Sequence, residues 1–234
     1  MIRVIRAGFL ALIAVSLVMI GIRVALYPPV LTQPGGTLSA LAPAGALFAY
    51  AFLGGWIAAK PRPGQATVLR TATAFGLVSG AVSVAHIAQE TYVNLPPQQL
   101  AIVTWAFILT MFAPWALAGF VAARRAGRVA LGLLAGLWSS MVCMVLTVTF
   151  GFGQLLTSLD RLQRQDVGSP DFLRSGWSDL RAFAIADIFE AGFWHLLIGP
   201  AVALLLAGAA ASAARLPSWY KSRVAVGSPP CQPQ

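Results

Sequence analysis

Apolar residues fall along this chain in six long runs, and the links between the runs hold most of the charge. The runs lie at about residues 4–27, 38–59, 68–89, 100–123, 129–152 and 186–214. Each is long enough for a helix to cross a hydrocarbon layer, which takes about 20 residues. The pattern predicts an all-α integral membrane protein, a bundle of six transmembrane helices forming one domain over 1–215. A Pro- and Ser-rich stretch, 216–234, is expected as a mobile cytoplasmic tail. Arg3 and Arg6 open the first run, which resembles a signal peptide in charge alone. The apolar stretch is too long for that, and no small-x-small site precedes Tyr27-Pro28-Pro29, so a retained first helix is expected.

One link is long, 153–181, and it carries charges of both signs with a Gly168-Ser169-Pro170 break. Two short amphipathic helices are expected there, one around Leu156 to Gln165 and one starting near Ser169-Pro170-Asp171. Together they would form a short helical extracytoplasmic cap between the fifth and sixth spans. Asn94-Leu95-Pro96-Pro97 marks a turn-rich exit from the third.

The third run holds the most informative face. Gly76, Ser79, Gly80, Ser83, His86 and Glu90 recur at steps of three and four, opposite Phe75, Val78, Val82 and Ala85. Small residues permit close approach of a second backbone. Ala72, Gly76 and Gly80 form one small-residue row, and Gly132, Gly136 and Ser140 form another in the fifth run. The third and fifth helices are therefore expected to meet along these two rows. Pro43, Pro114 and Pro200 each fall inside a span, the last two deep enough to kink it. Gly55 to Lys60 echoes Gly119 to Arg124, which reads as convergence, since every basic helix end favours small residues, an aromatic and a cationic stop.

Composition agrees with this class. Of 234 residues, 58% are hydrophobic and 10% charged, and the mean hydropathy is +0.77. A net charge of +9 in a soluble chain would point to nucleic acid. Here no basic patch with interleaved aromatics, recognition helix or zinc spacing accompanies it, so nucleic-acid binding is set aside. The basic residues give topology instead. With the N-terminus in the cytoplasm, Arg3, Arg6, Lys60, Arg62, Arg70, Arg124, Arg125, Arg128, Arg215, Lys221 and Arg223 all fall inside. Arg23, Arg161, Arg164, Arg174, Arg181 and every carboxylate fall outside or at the outer interface. The positive-inside rule thus places both termini in the cytoplasm, in a cell membrane read as a bacterial cytoplasmic membrane. Tyr27, Trp56, Tyr92, Trp105, Trp194, Trp219 and Tyr220 sit where interfacial anchors are expected, and Lys221 with Arg223 are too few for a lipid-binding cluster. Cys143 and Cys231 lie too far apart in depth to pair and fit no metal spacing.

The same topology brings the ionisable groups to one depth near the outer surface. His86 and Glu90 close the third helix, Asp187, Glu190 and His195 open the sixth, and Arg23 reaches that level from the first. Four readings follow. In one, these are interfacial residues in an ion-pair network, with Arg23 as counter-ion. In the second they line an outward-facing polar pocket for a small ligand, ion or proton, with His86 titrating near neutrality. In the third, His86, His195, Glu90 and Asp187 ligate a metal. In the fourth, His86 and His195 hold a b-type haem. No nucleophile elbow, phosphate loop or dinucleotide fingerprint is present. The leading expectation is a non-enzymatic membrane protein with the polar pocket, its cofactors unassigned. A metal- or haem-dependent membrane enzyme and an accessory subunit of a larger complex are the alternatives. The lipid bilayer is the partner the sequence implies; partner subunits or a homo-oligomer have no support in it.

Overall fold

The computed structural model describes residues 1–62, 64–93 and 95–215; the expected tail, with Trp219, Tyr220, Lys221, Arg223 and Cys231, lies outside them, as does Asn94. The described residues are all-helical. Six helices are long and apolar enough to cross a membrane: α1 (Ile2–Leu26), α3 (Gly36–Ala59), α4 (Gln65–Tyr92), α5 (Pro97–Ala126), α6 (Val129–Thr157) and α9 (Leu180–Ala213). This is a multi-pass membrane architecture. Short helices α2 (Pro29–Thr32), α7 (Leu159–Asp166) and α8 (Pro170–Ser175) fill the links.

The expected runs are present, and most extend past their apolar limits. α6 continues five residues past Phe152 to Thr157, and α9 begins at Leu180 rather than near 186. The extensions admit polar residues such as Gln154, Thr157 and Arg181, because a helix satisfies its backbone internally whether or not its side chains are apolar. Asp179 caps α9 by accepting from the amides of Arg181 (2.9 Å) and Ala182 (3.0 Å). α7 and α8 stand where the amphipathic helices were expected, and Ser169 caps α8 by accepting from the Phe172 amide at 3.1 Å. α3, α5 and α9 run unbroken through Pro43, Pro114 and Pro200.

α6 is the mast of the bundle, touching α1, α4, α5 and α9. Trp138, Met141, Cys143 and Val145 on it are fully buried, whereas α1, α3 and α5 turn large apolar side chains outward, as lipid-facing helices do. Side-chain hydrogen bonds tie its polar positions to neighbours. The Ser16 and Thr149 hydroxyls lie 2.8 Å apart, and those of Ser83 and Thr147 2.9 Å apart. Trp138 Nε1 donates to Thr73 Oγ1 at 2.8 Å, and Gln154 Nε2 to Thr91 Oγ1 at 3.0 Å. Along α4 and α6 these partners advance together, so the two helices are parallel. α9 runs the other way, with Gly132 against Ala211, Gly136 against Ala207, Gly199 against Met144 and Gly192 against Phe152.

The small-residue rows behave differently from each other. Ala72, Gly76, Ser79, Gly80 and Ser83 are buried, and α4 does meet α6 there: a Cβ on Gly76 would stand 2.6 Å from the Ser139 carbonyl oxygen. The row on α6 faces elsewhere. Gly132 and Gly136 receive α9 and α5, not α4. The row on α6 lies on a different face from the Ser139–Val142 side that meets α4, because a mast with several neighbours needs close approach in more than one direction. Ala207 sits at the junction, against both Gly136 of α6 and Gly119 of α5. A Cβ on the echoing Gly55 would meet nothing within 4 Å, whereas one on Gly119 would stand 2.7 Å from Ala207, so the two similar segments occupy unlike environments.

The alternating helix directions give the bundle two ends. At the basic end lie Arg3, Arg6, Lys60, Arg62, Arg70, Arg124, Arg125, Arg128 and Arg215, and an Arg215 guanidinium donates to the Gly127 carbonyl. The opposite end, here the loop end, gathers the α1–α3 link, the close of α4 and the 158–179 connection. There the Tyr27 hydroxyl donates to Asp179 Oδ2 at 2.7 Å, and the Tyr92 and Ser158 hydroxyls lie 2.6 Å apart. All seven carboxylates of the chain are in residues that lie at or near this end.

Gly76→Val is expected to destabilise by about 1–3 kcal/mol, because Ser139 and Val142 leave no room for a branched side chain. Gly21→Val, with nothing within 4 Å, is the matched control. Thermal unfolding of the detergent-solubilised variants would measure the difference, and equal loss in both would contradict the packing described.

Candidate functional site

Each expected site residue lies in the loop-end half of its helix, yet they do not form one cluster. α6 stands between α4 and α9, so residues opening α9 are shared among three different settings.

His86 and Glu90 stay together, one turn apart on α4, with Nε2 and Oε1 separated by 3.3 Å. That separation allows Coulombic attraction, but the alignment misses a hydrogen bond, and Nε2 is buried without one. The imidazole packs on Phe107 of α5, with ring centroids 5.1 Å apart. His195 lies across the bundle on α9. Its Nδ1 is 2.7 Å from the Ala191 carbonyl, so Nδ1 carries the proton in a neutral ring and Nε2 is left as acceptor. Glu90 and His195 face a common cavity of about 210 Å³ between α4, α6 and α9, whose wall includes Thr91, Thr147 and Gln154. A second, largely apolar cavity of about 230 Å³ between α5 and α9 also touches His195. Neither includes His86.

Asp187 and Glu190 turn away from the histidines toward α3. They line the largest of these cavities, about 460 Å³, between the start of α3 and the first turns of α9. Its walls are otherwise mainly aromatic and small: Trp177, Phe183, Phe193 and Trp194 beside Leu38, Ser39 and Ala42. The sequence builds this shape simply. Gly35 adopts a left-handed φ of 77° that starts α3, and Gly36 lets Trp177 and the Val30 carbonyl approach that start. Trp177 then stacks edge-on to Phe183 at 6.0 Å. No Lys, Arg or His lies on the wall. Glu190 Oε1 accepts a long bond from Trp194 Nε1, 3.4 Å, and Asp187 has no hydrogen-bond or ion-pair partner among the described residues.

Arg23, expected as the counter-ion, makes no ion pair with Glu90, Asp187 or Glu190 among the described residues and borders an arginine-lined cavity beside α7. α1 packs mainly on α3 and α6, and its end shares a cavity with Arg181 of α9 rather than with Asp187 and Glu190. Among the described residues no group of three or more His, Cys, Asp and Glu side chains could hold a metal ion. The aromatic wall beside Asp187 was not legible in advance, because Trp177 and Phe183 belong to a loop and a helix start with no shared periodicity.

The carboxylates outside the spans are held in unlike states. Burial raises Asp179, but the Tyr27 hydroxyl, the amides of Ala182 and Arg181 and the Arg181 charge together bring it below its ordinary value. Burial, and then the Asp187 charge, push Asp166 up to about 6. A raised folded-state value means that ionising Asp166 disfavours the fold. Its contribution is full below the ordinary carboxylate range and is lost as pH rises through about 6. Asp166→Asn should therefore reduce the fall in Tm between pH 4 and pH 7.5, and an unchanged fall would show that Asp166 ionises freely.

No protein-family model, no curated protein and no solved structure matches this chain.

Proposed function

We propose that the protein is a non-enzymatic multi-pass membrane protein that binds a small organic cation in the cavity between α3 and α9. The observation that carries this reading is the pairing of Asp187 and Glu190 with four aromatic side chains on a wall free of cationic groups. Carboxylates attract the charge, and indole and phenyl faces stabilise it through their quadrupoles while accommodating an apolar body. A neutral or anionic ligand would leave the acid pair repelling itself. The cavity also lacks a nucleophile paired with a base, which favours binding over chemistry.

In this reading the loop end faces outward and the basic end lies in the cytoplasm. The concentration of Lys and Arg at the links of the basic end supports that orientation. A cysteine introduced at Ser175 in a Cys143→Ser, Cys231→Ser background should react with a membrane-impermeant maleimide added to intact cells. Labelling only after lysis would reverse the orientation.

Tetraphenylphosphonium, a cation with an apolar body, is a suitable probe for the cavity. Calorimetry on the purified protein should show binding that weakens about tenfold or more in Asp187→Asn/Glu190→Gln. Triphenylphosphine oxide, similar in shape and neutral, should bind far less well. Equal affinity for the two compounds, or no loss in the double variant, would sink the assignment.

A further inference from the structure

The arginines of the loop end form a separate constellation. Arg23 sits in the last turn of α1 and is 7% exposed, yet its Nε and Nη2 have no hydrogen-bond partner. Nε of Arg181 is likewise buried and unpartnered. Both side chains border a cavity of about 380 Å³ at the ends of α1, α4 and α6, together with Arg161, Arg164 and Asp160. Asp160 is the sole carboxylate on that wall. It stands 3.6 Å from Arg181 Nη2 and is 78% exposed, too loose and too wet to neutralise the group.

Two of the four guanidinium groups are already oriented. Arg161 lies over the Tyr92 ring at 5.2 Å and donates to the Tyr92 carbonyl at 3.1 Å. Arg181 lies over the Tyr27 ring at 5.5 Å. Arg23 is different, since a buried cation with free donors is strongly unfavourable unless an anion completes it. The donors are planar forks, which match tetrahedral oxyanions by paired N–H···O bonds. A single carboxylate would leave the wall still strongly positive. A phosphate, with more acceptor oxygens and more charge, suits four guanidinium groups better.

We propose that this cavity binds a phosphate group. The same chemistry is offered by the headgroup of an anionic phospholipid, which lies at the level of helix ends, and by soluble phosphate. The site shares no wall residue with the aromatic cavity, so it stands or falls independently of the function proposed above.

The test follows the thermal unfolding of the full chain in an uncharged detergent, read by tryptophan fluorescence, in two arms. One arm adds inorganic phosphate with sodium chloride adjusted to hold ionic strength constant. The other compares mixed micelles containing phosphatidylglycerol with micelles containing phosphatidylcholine. At about ten times the Kd, the expected rise in Tm is about 3–5 °C. It should vanish in Arg23→Gln, shrink in Arg161→Gln, and persist in Arg174→Gln, whose side chain pairs with Asp171 outside the cavity. A rise with inorganic phosphate identifies a soluble ligand, and a rise with phosphatidylglycerol alone identifies a headgroup. Arg161→Gln carries the test on a less buried side chain if Arg23→Gln fails to fold. No rise in either arm, or a rise that survives both variants, overturns the proposal.

Discussion

Helices in lipid gain little by hiding apolar surface from one another, so they must be held by close packing and by bonds between polar groups. Everything in this molecule depends on how α6 meets that constraint. Glycine and serine on α4 admit the Ser139–Val142 side of α6, and glycines on α6 admit α9 and α5. Each close approach increases dispersion contacts and brings side-chain hydroxyls within bonding distance of the next helix. Ser16, Ser83, Thr147 and Thr149 then form hydrogen bonds between helices, each contributing about 0.6 kcal/mol on average in such settings. Individually these bonds are weak; their number along one mast gives the bundle its order.

That arrangement also explains why the ionisable groups separate. A central helix keeps the helices around it apart, so depth in the membrane does not guarantee proximity. His86 and Asp187 belong to helices on different sides of α6, and each takes up the company of its own side. His86 finds Phe107 and Glu90, and Asp187 finds Trp177 and Trp194.

The spans were legible because apolar length and the placement of Lys and Arg are local properties of the chain. The short helices α7 and α8 were legible too, since Ser169-Pro170-Asp171 is a start signal in itself. Contact between α4 and α6 could be expected from Gly76 and Gly80, but the partner of Gly132 and Gly136 could not. A small-residue row announces that some backbone will come close, without naming which. The site was the hardest part. One-dimensional spacing gives depth along a helix and facing within it, whereas Arg23 and Asp187 are parted by the order of helices around the mast. The aromatic wall and the arginine-lined wall both draw on the 158–179 connection and the first turn of α9, and no single period runs across the two to govern which side chains meet.

That connection has a consequence for the way the two cavities behave. Ser175, Trp177 and Phe183 belong to one, and Arg181 to the other, while the Tyr27–Asp179 bond fastens the strap between them to the end of α1. A shift of this short strap would move walls of both cavities. Were both to bind as proposed, any influence passing through this shared piece of backbone would be equal in the two directions.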